Sequence, residues 1–88
     1  MSTILTETDA GALGAAKVVD ARGAACPGPL LEAKKAMAAI ALGDVLELWS
    51  SDPQTRRDVE AWSAKVGHGF LGVAAAAGYD RVFVRRGK

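Results

Sequence analysis

The chain has 88 residues, with 11 basic residues, 10 acidic residues and a single cysteine. This length leaves room for one domain with a modest core. The net charge of +1 disfavours non-specific nucleic-acid binding, and one cysteine excludes an internal disulfide framework.

Residues 1–16 are rich in Thr, Ala and Gly and show no hydrophobic period, so we interpret them as a flexible leader. They lack a basic n-region and an apolar h-region, and no apolar run in the chain is long enough to span a membrane. We therefore expect a cytoplasmic protein with no membrane partner. Residues 17–88 are predicted to form a single domain.

Hydrophobic periodicity and turn residues predict six elements after the leader. They are a strand over 17–20, a helix over 27–41 closed by Gly43, a strand over 45–50, a helix from Asp52 and Pro53 to Gly67, and strands over 70–75 and 79–85. This βαβαββ order predicts an α/β (α+β) two-layer sandwich, with two helices on one face of a four-stranded mixed sheet. The pattern does not specify the strand order.

Two details of the helices follow from the same pattern. In the first helix, Leu30, Lys34 and Met37 form one line with Leu31 beside it. In the second helix, the buried face is predicted to consist of Val59, Trp62 and Val66.

The most informative segment is residues 23–29 (GAACPGP), which contains the single cysteine. Cys26 stands at a predicted helix N-terminus, where unpaired N–H groups favour the thiolate and lower the thiol pKa. Pro27 and Pro29 fall in the first turn, where a missing donor costs little, and they stiffen the loop. Gly28 offers no side chain to shield the sulfur, and we expect its N–H to remain available to it.

Other roles for the cysteine fit the residues less well. An inert core cysteine belongs within an apolar stripe, and a dithiol mechanism needs a second cysteine that this chain lacks. His68 lies between two glycines and is interpreted as a turn histidine rather than as a base or ligand. One Cys and one His do not complete a metal site, so no metal is expected. A thiolate without base, metal or resolving thiol can still accept a group and pass it on.

The basic residues support two alternative interpretations. A regulatory or interaction module would bind a protein partner through a basic edge, with Cys26 incidental; the residues of that edge are Arg81, Arg85, Arg86 and Lys88. Direct RNA binding is disfavoured by the near-neutral charge and by the lack of an aromatic stacking platform on a strand.

Residues 20–23 (DARG) and 26–29 (CPGP) resemble the signature of the TusA family of small sulfur-carrier proteins, also called SirA-like. Residues 43–44 (GD), 51–58 (SDPQTRRD), 67–68 (GH) and 85–87 (RRG) are similar as well. The resemblance covers about residues 17–88, and it implies the same two-layer sandwich.

The resemblance also implies a function. Cys26 would take sulfane sulfur from a cysteine desulfurase or rhodanese-like donor, hold it as a persulfide without any other cofactor, and hand it to an acceptor protein. Relatives serve tRNA thiolation, cofactor sulfuration or sulfur oxidation. Such a protein is a sulfurtransferase-type carrier rather than a classical turnover enzyme, and direct nucleic-acid binding is not expected.

If the chain is a sulfur carrier, Arg22 is expected to favour the thiolate of Cys26 as a nearby cation. Docking contacts are expected from Lys34, Lys35, Arg56 and Arg57. The chain departs from relatives at Ser63, where some have a second cysteine, and at Gly28, where others often have an acidic residue.

Overall fold

A computed structural model describes residues 4–5, 7–25 and 27–88 of the chain, so the predicted carrier residue, Cys26, lies outside the described residues. The elements in chain order are α1 (Glu7–Leu13), β1 (Lys17–Asp20), α2 (Gly28–Met37), β2 (Val45–Ser50), α3 (Thr55–Val66), β3 (Gly69–Ala76) and β4 (Tyr79–Arg85). Within these residues, no helix combines the length and the apolar character needed to cross a membrane.

The four strands form one mixed sheet in the order β1-β2-β4-β3. β1 pairs with β2 in parallel, and β4 pairs antiparallel with both β2 and β3. Helices α2 and α3 pack together and against the strands. The predicted mixed sheet with both of these helices on one face is confirmed.

The core between the sheet and α2 and α3 follows from the alternation of side chains along the strands. Leu46 and Leu48 of β2 face this side and stand opposite Val84 and Val82 of β4. All four are almost fully buried. The helices contribute the buried residues Ala33, Ala36, Met37 and Val59 to the same cluster.

The opposite face of the sheet carries a second apolar cluster, which the N-terminal segment covers. Val45, Ala74 and Phe83 are buried there, and Leu5 and Leu13 pack against them. The Leu5 N–H donates to the Val73 carbonyl at 2.7 Å. No element was predicted before residue 17, and α1 is therefore an addition. Its seven residues are too few for a hydrophobic period to be recognised.

Helix α2 ends four residues earlier than predicted, at Met37 instead of residue 41. Two side chains compete for the backbone groups that would continue it. Arg86 donates to the Ile40 carbonyl, and Asp44 accepts the Ala41 N–H at 3.1 Å. Gly43 accordingly serves the turn before β2, with φ of +86°, and does not cap the helix. Leu31, predicted beside the apolar line, is 55% exposed.

Helix α3 begins at Thr55, two residues after Pro53. Gln54 is the N-cap residue, and its N–H donates to Asp52 Oδ1 at 2.9 Å. The predicted buried face was only partly right. Val59 is buried, but Thr55 and Ser63 accompany it, whereas Val66 is 37% exposed. Hydrogen bonds make burial of these polar side chains possible: the Thr55 hydroxyl pairs with the Ser50 hydroxyl at 2.7 Å, and the Ser63 hydroxyl donates to the Val59 carbonyl at 2.7 Å.

The end of α3 at Gly67 is confirmed. Gly67 adopts a left-handed conformation with φ of 90°. Both its own N–H and that of His68 donate to the Ser63 carbonyl. Glycine is favoured here because a Cβ is strained in this conformation.

Candidate functional site

The loop from β1 to α2 is tied to the carboxyl end of β2. The Ala21 N–H donates to the Trp49 carbonyl at 2.9 Å, and the Gly23 N–H donates to the Ser51 hydroxyl at 2.9 Å. Gly23 has φ of +85°, which other residues adopt only with strain. The sheet therefore sets where this loop lies as it approaches the helix.

The predicted turn residues Pro27, Gly28 and Pro29 do lie at the start of α2. Pro27 directly precedes the helix, its carbonyl accepts the Leu31 N–H at 3.0 Å, and Pro29 is buried. The expectation for the Gly28 amide was wrong, because its N–H donates to the Ala25 carbonyl at 2.8 Å and is not available to a sulfur atom. A Cβ added at Gly28 would come within 3.3 Å of the Ala24 Cβ, so the loop packs tightly on the helix start.

Arg22 is held by an acid and by two aromatic rings. Its Nε and Nη2 donate to the two carboxylate oxygens of Asp20 at 2.8 and 2.7 Å. The guanidinium carbon lies 4.9 Å from the ring centroids of both Trp49 and Tyr79. These hydrogen bonds from Arg22 lower the pKa of Asp20 to about 2, and those to Asp20 raise the pKa of Arg22.

The predicted docking residues do not form one surface. Lys34 lines a groove of about 460 Å³ together with Met37 and Trp62, and three further cations from other elements join it: Lys65, Arg86 and Lys88. We call this the basic groove. Because α2 ends at Met37 rather than at residue 41, Lys34 and Lys35 stand in its last turn, where a cation suits the helix dipole.

The remaining predicted docking residues lie apart from the basic groove. Lys35 lines a second groove beside β1 together with Glu32. Arg56 and Arg57 stand in the first turns of α3, and Arg56 forms an ion pair of 3.6 Å with Asp80.

The proposed basic edge of the alternative interpretation is also divided. Arg81 and Arg85 stand on the side of β4 that carries Phe83, facing away from the two helices. Arg81 is paired with Glu47 at 2.8 Å. Arg86 and Lys88 instead line the basic groove.

Sequence reasoning missed both the basic groove and the ring contacts of Arg22. The groove brings together residues from three distant parts of the chain (34–38, 62–68 and 86–88), and neither helix pattern alone signals it. The ring contacts had a usable signal, since alternation along β2 places Trp49 on the face away from the helices.

His68 lies at the basic groove as a neutral hydrogen-bond acceptor. Its Nδ1 accepts the Gly87 N–H at 3.0 Å, and its ring makes an edge contact with Trp62 at 5.1 Å between centroids. Burial, and secondarily the charge of Arg86, lower the pKa of His68 below its ordinary value of 6.5. Protonation would also remove the lone pair that receives the Gly87 N–H.

This arrangement predicts a pH dependence of stability. The unfolded chain binds a proton at His68 more readily than the folded chain, so the His68 contribution is complete above about pH 6.5 and declines as pH falls through the lowered folded pKa. Urea unfolding at several pH values should show a steeper acid-side loss for wild type than for His68→Gln. Identical slopes for the two proteins between pH 5 and about 7 would contradict the assignment.

Comparisons with known proteins identify the family to which the chain belongs. A family model described as "Sulfurtransferase TusA" matches residues 17–86, which run from the start of β1 to just beyond β4. The chain belongs to the TusA family. The matched residues include the whole β1–α2 loop, whereas α1 lies outside them.

Individual relatives agree with the family match. The chain is 35% identical over 68 residues to "Sulfur carrier protein TusA" of Pseudomonas entomophila, covering 77% of this chain and 85% of that one. It is 41% identical over 69 residues to a "Putative sulfur carrier protein" of Archaeoglobus fulgidus, covering 78% of this chain and 94% of the relative. The match to "Putative sulfur carrier protein YrkF" of Bacillus subtilis is 41% identical over 70 residues and spans 80% of this chain but only 38% of that longer protein.

A solved structure supports the fold. The crystal structure of a SirA-like protein from Desulfitobacterium hafniense aligns with a TM-score of 0.66 and 25% sequence identity. The alignment covers 82% of this chain and 99% of the other.

Proposed function

We propose that this protein is a sulfur carrier that accepts sulfane sulfur as a persulfide on Cys26 and relays it to an acceptor protein. The observation that carries the proposal is the family match over residues 17–86, which includes the CPGP segment, residues 26–29, at the start of α2. The two prolines of that segment stand where the structure starts the helix.

The transfer needs no oxidant or reductant. The Cys26 thiolate attacks the outer sulfur of a donor persulfide, the donor S–S bond breaks as the new S–S bond forms, and the donor leaves as a thiolate. An acceptor thiolate then attacks the outer sulfur on Cys26 in the same way. A position just before the first turn of α2 favours the thiolate form that begins this exchange.

The partners of such a carrier are a donor, which we expect to be a cysteine desulfurase or rhodanese-like protein, and an acceptor. The basic groove is the surface we assign to docking. Lys34, Lys65 and Lys88 make no side-chain ion pair among the described residues, and so they remain open to carboxylates of a partner. Trp62, which is half-buried, adds apolar contact area within the same groove.

The proposal is tested by intact-protein mass spectrometry after incubation with a cysteine desulfurase and cysteine, or with a thiosulfate-loaded rhodanese. Wild type should gain one or more sulfur masses that a reducing thiol removes, and Cys26→Ser should gain none. Far-UV circular dichroism and a thermal melt of Cys26→Ser should match wild type. Sulfur gained equally by Cys26→Ser, or no gain by wild type with either donor, would overturn the carrier function.

The docking surface is tested in the same assay at limiting donor. The double variant K65E/K88E reverses two charges in the basic groove and should lower the loading rate about tenfold, since charge complementarity mainly accelerates encounter. The matched control K17E/R85E makes the same change in net charge outside the groove and should load at close to the wild-type rate. Equal losses in the two variants would refute a local docking role for the groove.

A further inference from the structure

The sequence predicted that Arg22 favours the thiolate as a nearby cation, but its contacts in the structure indicate a different role. Both carboxylate oxygens of Asp20 accept from the guanidinium, and Asp20 Oδ1 also accepts the Arg22 backbone N–H at 3.1 Å. One carboxylate therefore fixes the side chain and the backbone of Arg22 together. We call this arrangement, with the flanking Trp49 and Tyr79 rings, the Asp20–Arg22 clamp.

The rings give the clamp an orientation that an exposed ion pair lacks. The Asp20 and Arg22 side chains are 48% and 45% exposed, and ion pairs with such exposure usually contribute little by themselves. Here the guanidinium lies 4.9 Å from each ring centroid, and the rings of Trp49 and Tyr79 lie 5.4 Å from each other. A guanidinium that lies over two aromatic rings and makes a two-pronged hydrogen bond to a carboxylate is an arrangement that arginine provides and lysine does not.

The clamp lies where the chain leaves β1 for the cysteine turn. Immediately after it, Ala21 and Gly23 are fixed to Trp49 and Ser51 of the neighbouring strand end, and the Ala24 N–H donates to the Ala21 carbonyl at 3.2 Å. On the other side of Cys26, the Gly28 N–H reaches back to Ala25. The clamp therefore leads into a backbone whose hydrogen bonds fix Ala21, Gly23 and Ala24, and a further hydrogen bond joins Gly28 to Ala25.

The charge of Arg22 is compensated within the clamp. Its carboxylate partner is 2.7 Å away, and with a pKa of about 2 Asp20 stays ionised at every pH at which a cysteine thiol titrates. The pair together carries no net charge. An electrostatic effect on a nearby thiolate is correspondingly weak, whereas the mechanical effect on the loop does not depend on net charge.

We propose that Arg22 is a positioning residue, which together with Asp20 holds the β1–α2 loop in the conformation that presents Cys26, rather than a cation that stabilises the sulfur anion. This inference rests on the proposed carrier function of Cys26. In this proposal the clamp does not change the chemistry of the sulfur. It controls only how well the β1–α2 loop is ordered.

Asp20→Asn separates the two roles by the direction of its effect. If Arg22 acted as a cation at the sulfur, removing its counter-charge would lower the thiol pKa and accelerate alkylation of Cys26 by iodoacetamide near neutral pH. If Arg22 positions the loop, Asp20→Asn should instead increase amide hydrogen exchange of Gly23 and Ala24 at least about fivefold and slow sulfur loading. Faster alkylation with unchanged exchange at these two amides would overturn the proposal.

Arg22→Lys and Arg22→Gln provide the second comparison. Lysine keeps the positive charge but lacks the planar guanidinium that makes the two-pronged hydrogen bond to Asp20. Both variants should therefore show the same faster amide hydrogen exchange at Gly23 and Ala24 and the same slower sulfur loading. Lys17→Gln, which removes a cation from β1 without touching the clamp, should behave as wild type. Rescue by Arg22→Lys alone would overturn the positioning role.

The amides of β4 serve as an internal reference for these measurements. A uniform rise in exchange across β4 and the loop would assign Arg22 to global stability and overturn the proposal. Hydrogen exchange and alkylation need no sulfur donor. If the wild-type chain fails to load sulfur, the carrier function is refuted, but these two measurements still test the clamp. Conversely, normal loading and normal loop exchange in Asp20→Asn would refute the clamp and leave the carrier function standing.

Discussion

Phe83→Ala is expected to lower the free energy of unfolding by about 3–5 kcal/mol, the range for truncating a buried phenylalanine. Phe83 is fully buried in the second apolar cluster together with Val45 and Ala74, and Leu5 and Leu13 of the N-terminal segment pack against this cluster. A small domain has a total stability of about 5–15 kcal/mol, so this single change would remove a large part of it. Urea unfolding followed by circular dichroism measures the difference.

The control for this prediction is Leu42→Ala, because Leu42 is 67% exposed. Its change should stay within about 0.5 kcal/mol, as for most surface substitutions. A Phe83→Ala variant as stable as Leu42→Ala would show that the sheet face opposite α2 and α3 contributes no core. The second cluster would then not be part of the stable fold.

Arg81→Leu is expected to destabilise the chain by about 2–4 kcal/mol, because it leaves a buried carboxylate without its cation. Glu47 is 6% exposed, and its Oε2 accepts from Arg81 Nε at 2.8 Å and from the Trp49 indole N–H at 2.6 Å. The estimate lies below that for a fully enclosed pair, since one-fifth of the Arg81 side chain reaches solvent. Thermal and urea unfolding both report the change.

A double-mutant cycle tests whether the loss comes from the stranded charge. Combining Glu47→Gln with Arg81→Leu removes the buried charge together with its partner, and the double variant should recover about half or more of the loss. Strictly additive effects of the two substitutions would mean that the residues do not interact in the folded protein. The Trp49 indole N–H keeps an acceptor in the double variant, because glutamine retains a carbonyl oxygen.

The strands were the part of the fold that the sequence predicted best, and the reason is physical. Period-two alternation in β2 and β4 directly reflects which side chains face the core, and the predicted bounds of both strands agree with the structure. The helix ends were predicted less well. Arg86, which binds the Ile40 carbonyl beyond the end of α2, lies 46 residues away in the sequence, and the nearby Asp44 gives no hydrophobic period that would mark the helix end.

In the candidate site, too, the features that depend on local residues were predicted and those that depend on distant residues were not. The position of the CPGP segment at the start of a helix depends on local residues, and proline and glycine signal it from the sequence alone. The surroundings of Arg22 depend on Trp49 and Tyr79, which arrive from two other strands. A cation that looked available to a thiolate in the sequence is therefore bound to an acid in the folded chain.

The edge contact between Trp62 and His68 gives the basic groove an optical signal of its own. Tryptophan emission responds to a neighbouring imidazolium, so a variant that keeps Trp62 as its single tryptophan should change in fluorescence when His68 is protonated or when a partner fills the groove. Trp49 stands beside Arg22 on the far side of the sheet. Two single-tryptophan proteins would thus follow donor docking and loop ordering as separate events in real time, without any attached dye.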